Sequence, residues 1–156
     1  MTVAEFWPFL RDGAALAAGG FVLLTYRQSQ RQRRAEWLDG LYTRFYEQPQ
    51  YKRIRRVLDY RIEPDLGNLR TAIESGADSD AAEELVDYLN FFEFLGSLQA
   101  MGQLSQNETS MMFEYYICRL NDEPFVVSYV ETQGFERLAR MLSRRRKASI
   151  TSRADQ

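Results

Sequence analysis

The chain has 156 residues, 45% of them hydrophobic and 27% charged, the size and balance of one folded domain and not of a disordered segment. It contains no histidine and a single cysteine, Cys118, which excludes Ser-His-Asp and Cys-His catalysis, imidazole proton shuttling, HExxH zinc sites and an intrachain disulfide. The net charge of −2 conceals a segregation: residues 1–60 carry 10 basic and 6 acidic side chains, residues 61–136 carry 3 and 15, and residues 137–156 carry 7 and 1.

The first element is the uncharged run Gly13–Tyr26. Its 14 residues make a helix of about 21 Å, against a hydrocarbon core of ~30 Å. Starting at Phe6 gives 21 residues but takes in Arg11 and Asp12, which can snorkel from the outer part of a span. Phe6, Trp7 and Phe9 have the character of an interfacial aromatic belt. Ala15, Ala17, Ala18, Gly19 and Gly20 form a small-residue face suited to packing on another membrane helix. Arg27, Arg31, Arg33 and Arg34 follow with no acid before Glu36. The expectation is a transmembrane anchor and basic flank over residues 1–30, single-pass in a bacterial inner (plasma) membrane, with the N-terminus outside and the C-terminal domain cytoplasmic. A cleaved signal peptide fits less well, because its positive end should precede the apolar run. The alternative is a buried helix of a soluble domain.

Apolar residues then recur at Trp37, Leu38, Leu41, Tyr42, Phe45 and Tyr46, helical spacing that continues the anchor helix until Pro49 breaks it. A helix over 50–61 sets Tyr51, Ile54, Val57 and Leu58 against Lys52, Arg53, Arg55 and Arg56. A short helix capped by Asp65 carries Leu66, Leu69 and Ile73 and stops at Gly76. Asp80-x-x-Glu83 reads as a capping box for a long helix reaching Met101, and Ser105-x-x-Glu108 for the next. Pro124 suits the first turn of the following helix, and a last one covers 135–146. The expected architecture is therefore all-α, with the N-terminal transmembrane helix continuing into a compact bundle of about five to six helices over residues 31–146. Short loops predict antiparallel sequential neighbours, and residues 147–156 read as a disordered tail.

Glu93, set in Asn90-Phe91-Phe92-Glu93-Phe94-Leu95, is the residue of greatest chemical interest. If buried it needs a partner, and Arg53, Arg55 or Arg56 are the candidates for a structural ion pair, with Arg119 a further one. A perturbed general acid or base, or plain exposure, are the other readings. Glu83, Glu84 and Asp87 share its helix, but carboxylate di-metal helical sites use Glu-x-x-His. Cys118 and Met101, Met111 and Met112 read as core filler. No nucleotide, dinucleotide or esterase motif is present. No catalytic, cofactor-binding or metal site is expected, and no cofactor.

The order of Gly13–Tyr26, Trp37, Phe45-Tyr46, Pro49-x-Tyr51, Arg55-Arg56 with Leu58-Asp59, Leu89-Asn90-Phe91-Phe92-Glu93, Gly102-x-Leu104 and Pro124 resembles a family of uncharacterised bacterial proteins of the domain-of-unknown-function type. The resemblance covers about residues 13–142. It implies an N-terminal membrane helix and a small all-helical cytoplasmic domain, and no activity. Membrane-anchored phage-exclusion or abortive-infection factors are similar in the same respects.

The function expected is a non-catalytic membrane-anchored helical interaction module. The alternatives are a membrane-associated phage-defence effector and a carboxylate-dependent enzyme. Arg27, Arg31, Arg33, Arg34, Arg144, Arg145, Arg146 and Lys147 form the expected membrane-surface basic patch. The expected partners are anionic lipid and a protein or a second copy. The acidic middle of the chain argues against nucleic acid.

Overall fold

A computed structural model describes residues 3–76 and 79–154. These form seven α-helices, with no strand among the described residues. They are α1 (Val3–Glu47), α2 (Pro49–Tyr60), α3 (Asp65–Ser75), α4 (Asp80–Ala100), α5 (Gln106–Asn121), α6 (Pro124–Thr132) and α7 (Glu136–Ala154). The chain divides into two compact units, Met1–Thr43 and Arg44–Gln156.

In the first unit the described structure is α1 alone. Among the described residues no helix is long and apolar enough to cross a membrane. This overturns the expected transmembrane anchor, and with it the single-pass inner-membrane placement. The reason is arithmetic: α1 is 45 residues long, but its uncharged run is short, and every extension toward bilayer length takes in Arg11 and Asp12 or Arg27 and Arg31. The aromatic belt at Phe6, Trp7 and Phe9 and the small-residue face at Ala15–Gly20 lie outside the described side chains. Phe21 and Tyr26 are exposed. Further along, the Arg34 guanidinium lies 4.8 Å over the Trp37 ring.

The second unit comprises the end of α1 and α2–α7. Its helix boundaries follow local chemistry. Pro49 starts α2, because a proline at the first helical position gives up only an amide that has no helical partner. Gly76 ends α3 at φ +65°, a left-handed conformation that costs glycine little. The Ser105 box is present in full: the Ser105 hydroxyl accepts from the Glu108 N–H at 3.2 Å, and the Glu108 carboxylate accepts from the Ser105 N–H at 2.8 Å. The α4 cap differs by one residue, since Ser79 accepts from the Ala82 N–H and Asp80 is already helical. At α3 the carboxylate of Glu63, not Asp65, accepts from the Gly67 N–H at 3.3 Å. α7 runs on to Ala154, through the segment expected to be a disordered tail.

The core is built on aromatic residues. Phe45 is fully buried and packs among rings from α2, α4 and α5, with centroids 4.9 Å from both Phe91 and Tyr116, 5.4 Å from Phe113 and 5.7 Å from Phe92. Most of these pairs are edge-on or tilted, the arrangement that sets the positive ring edge against the negative ring face. The most extensive pairings are not sequential: α4 packs chiefly on α2 and α7, and meets α5 through Phe91 and Phe92 against Phe113, whereas α5, α6 and α7 do pack on their sequential neighbours. Gly96 explains part of this. A Cβ there would lie 2.6 Å from Arg137 Cβ and 3.2 Å from the Arg137 carbonyl carbon, so only glycine lets α4 and α7 approach this closely.

Candidate interaction surface

Glu93 meets none of the arginines proposed for it. Its Oε1 accepts from the Arg137 N–H at 3.1 Å and its Oε2 from the Leu138 N–H at 2.8 Å. These are amides of the first turn of α7, which have no acceptor within their own helix. Glu93 is thus a tertiary N-cap: a carboxylate on α4 that satisfies two amides and faces the positive end of the α7 dipole.

Three of the candidate arginines have partners of their own. Arg55 is buried despite its place on the charged side of α2. It donates to the carbonyls of Phe45 at 2.6 Å and Tyr46 at 3.0 Å, in the last turn of α1. Its guanidinium also lies 4.8 Å over the Phe45 ring and 4.5 Å over the Tyr46 ring. Arg55 therefore joins α2 to the C-terminal end of α1 through carbonyls that α1 cannot satisfy itself. Arg53 is ion-paired with Glu84 at 3.2 Å. Arg119 meets Asp122 at 3.6 Å and donates to the Tyr115 hydroxyl at 3.3 Å.

Two carboxylates that the sequence did not single out carry more of the buried electrostatics. Glu123 directly precedes α6, is buried, and pairs with Arg61 at 3.2 Å and Arg70 at 4.0 Å. It ties the end of α2 and the body of α3 to the start of α6. Asp59 on α2 is half-buried, and its Oδ1 is buried without a hydrogen-bond partner. Desolvation raises its pKa, opposed by a hydrogen bond with Tyr115 and by the charges of Arg119 and Arg55. A raised carboxylate pKa means that the fold holds this proton more tightly than the unfolded chain does, so stability is lost as pH rises through the folded-state value. Asp59→Asn is accordingly expected to match the parent protein's melting temperature below about pH 4 and to exceed it at neutral pH. Equal melting temperatures across the pH range would show that Asp59 is well solvated.

Cys118 is exposed, not core filler. Partial desolvation and the nearby Asp122 charge raise its pKa, which disfavours the thiolate and makes it a slow nucleophile. Met101 and Met111 are exposed as well, at 62% and 86%. Among the described residues no group of His, Cys, Asp and Glu side chains could hold a metal ion.

The expected basic patch is divided. Arg27, Arg31 and Arg33 are exposed on α1, and Arg34 is half-buried. In the C-terminal run, Arg145 is ion-paired with Glu114 of α5, and Arg146 with Glu131 of α6 at 2.7 Å. Part of the charge expected at a lipid surface is therefore paired with carboxylates of the same unit. Arg144 and Lys147 are exposed.

A concave surface of α2 lies on its cationic side. A groove of about 380 Å³ runs along Pro49, Val57 and Ile62, with Lys52, Arg53 and Arg56 at its edge and Asp65 as its one carboxylate. Pro49, Lys52, Arg53 and Arg56 are exposed, Ile62 is half-buried and Val57 is buried, so Val57 and Ile62 make the floor. Arg53 is engaged by Glu84, whereas Lys52 and Arg56 have no acidic partner among the described residues. The groove has an apolar floor and a cationic rim, suited to a ligand that is apolar on one side and anionic on the other.

No family model matches this chain, and no curated protein or solved structure matches it.

Proposed function

We propose that the protein is a non-catalytic helical interaction module, and that the α2 groove receives an acidic, amphipathic segment of a partner protein. The observation that carries this reading is the combination of an apolar floor at Val57 and Ile62 with a rim of two unpaired cations, Lys52 and Arg56. An amphipathic helix docks by laying its apolar stripe into such a groove. Carboxylates along the edges of that stripe would meet the rim, adding orientation and faster association more than raw affinity. The same charge logic disfavours a basic partner segment.

The test is fluorescence anisotropy with a labelled probe helix of about four turns, built from leucine on one face and glutamate on the other. It should bind the full chain with an affinity that falls as salt rises. A lysine-for-glutamate version should not bind. The double variant Lys52→Glu/Arg56→Glu should bind the acidic probe at least about tenfold more weakly, equivalent to about 1.4 kcal/mol. Equal binding of both probes, or no response to the double variant, would remove this function from the groove. A concentration-dependent dimer that the same variant abolishes would instead identify the occupant as a second copy.

A further inference from the structure

We propose that the cleft between α4 and α7 is a second binding site, for a phosphoryl-bearing anion, built on Arg137, Arg140 and Arg144. These three arginines stand at i, i+3 and i+7 on α7 and share one of its faces. At 1.5 Å of rise per residue their backbone positions span about 10 Å. The close approach permitted by Gly96 brings α4 alongside the start of this row. The cleft beside it, about 250 Å³, is lined by the three arginines together with Gly96, Gln99, Ala100 and Met141. A smaller cavity of about 100 Å³ shares Gln99, Met141 and Arg144 and continues toward Gln106 and Ser110. No carboxylate lines either one.

That absence matters in a chain with 22 acidic residues. On the sides of α7 that face α5 and α6, the fold supplies carboxylates: Glu114 to Arg145 and Glu131 to Arg146. On the side that faces α4 no carboxylate is ion-paired with the guanidinium of Arg137 or Arg144 among the described residues. Arg140 has only the exposed Glu136, one turn back at 3.4 Å, a pairing of little energetic weight. The first-turn amides of Arg137 and Leu138 are already taken by Glu93, so the site belongs to the side chains and not to the helix terminus.

The donor set selects the ligand. Guanidinium groups present planar pairs of N–H donors that match the oxygens of a phosphoryl group, and they stay charged at any physiological pH. Three of them in a row suit two neighbouring phosphoryl groups better than one carboxylate. Gln99 gives its amide to the Thr109 hydroxyl at 2.6 Å, which fixes its side chain beside the cleft with a second N–H left over. The α2 groove differs in kind: its floor is apolar and its cations stand at the edge, whereas here the cations themselves form the wall. The two sites therefore stand or fall separately.

The test is isothermal titration of the full chain with pyrophosphate at low ionic strength, alongside co-sedimentation with phosphatidylglycerol vesicles. Pyrophosphate should bind, and Arg137→Gln/Arg144→Gln should weaken it at least about tenfold, while Arg27→Gln/Arg31→Gln on α1 leaves it unchanged. Vesicle binding without pyrophosphate binding, lost in the cleft variant alone, supports the same site and makes the phosphoryl group a lipid headgroup. Arg144→Lys keeps the charge but not the planar fork, so it should fall between parent and double variant. Should the double variant fail to fold, Arg144→Gln alone carries the comparison, because Arg144 is exposed. Binding of neither probe overturns the site. So does binding that the cleft variants leave intact, or that the α1 variant reduces equally.

Discussion

Phe45→Ala is expected to destabilise the helical unit by about 3–5 kcal/mol, the range for deleting a fully buried aromatic ring from a packed core. Phe45 has no exposed surface, and it is the ring around which Tyr51, Tyr88, Phe91, Phe92, Phe113 and Tyr116 are arranged. Its neighbours come from three helices, so they cannot collapse into the space together without moving the helices. Phe45 also offers its ring to Arg55, and removing it takes away one of the two faces that hold that buried guanidinium. Tyr46→Ala provides the internal comparison. Tyr46 is 39% exposed and hydrogen-bonds the Tyr116 hydroxyl, so its loss should cost clearly less. Urea unfolding of the two variants decides the matter, provided each melts in a single transition. A cost at Phe45 no larger than at Tyr46 would contradict the packing described.

Glu93→Ala is expected to cost about 2–3 kcal/mol, because two first-turn amides of α7 lose a charged acceptor at once. Glu93→Gln keeps one acceptor oxygen but no charge opposite the helix dipole, and should retain about half of that stability. Amide hydrogen exchange distinguishes this role from a general loss of stability. Arg137 and Leu138 should exchange much faster in Glu93→Ala than in the parent, while amides in the middle of α2 change only with global stability. Uniform acceleration throughout the unit would show that Glu93 acts through something other than the α7 terminus.

The helices were legible because their boundaries are set by single residues. Pro49, Gly76 and Pro124 act on the backbone where they stand, and Ser105 with Glu108 satisfies amides three residues away. Such effects need no knowledge of the fold. The partners of Glu93 were not legible, because they are backbone amides more than forty residues further along the chain, and amides carry no sequence signal. The same holds for Arg55, whose acceptors are carbonyls freed by the end of α1. A charge-matching search proposes other charges, and the fold used main-chain dipoles instead. Glu123 was hidden by its setting, since a glutamate just before Pro124 reads as a solvated turn until Arg61 and Arg70 are folded against it.

Cys118 and Met111 show a different failure. α5 has apolar side chains all round, from Met111 through Cys118, so periodicity leaves the phase of its buried face open. Packing decides it: Phe113, Tyr116 and Ile117 turn inward, and Met111, Tyr115 and Cys118 turn out. The N-terminal run failed on length. Its apolar character was local and easily read, but crossing a bilayer is a property of the whole span, and the charges at Arg11, Asp12 and Arg27 bound it too closely. Of the two clefts, the cations were legible one by one. Their grouping was not, because Ile62 meets the α2 face only after the chain turns beyond Arg61, and Gln99 meets Arg144 only once α4 lies against α7.

The most direct measurement is amide NMR of the full chain titrated with the leucine–glutamate probe helix. The expected result is a set of shift changes confined to the Lys52–Val57 stretch of α2 and the Ile62–Asp65 turn, absent in Lys52→Glu/Arg56→Glu. Changes centred on α5 or α7, or no change at saturating probe, would contradict an acidic partner segment in the α2 groove.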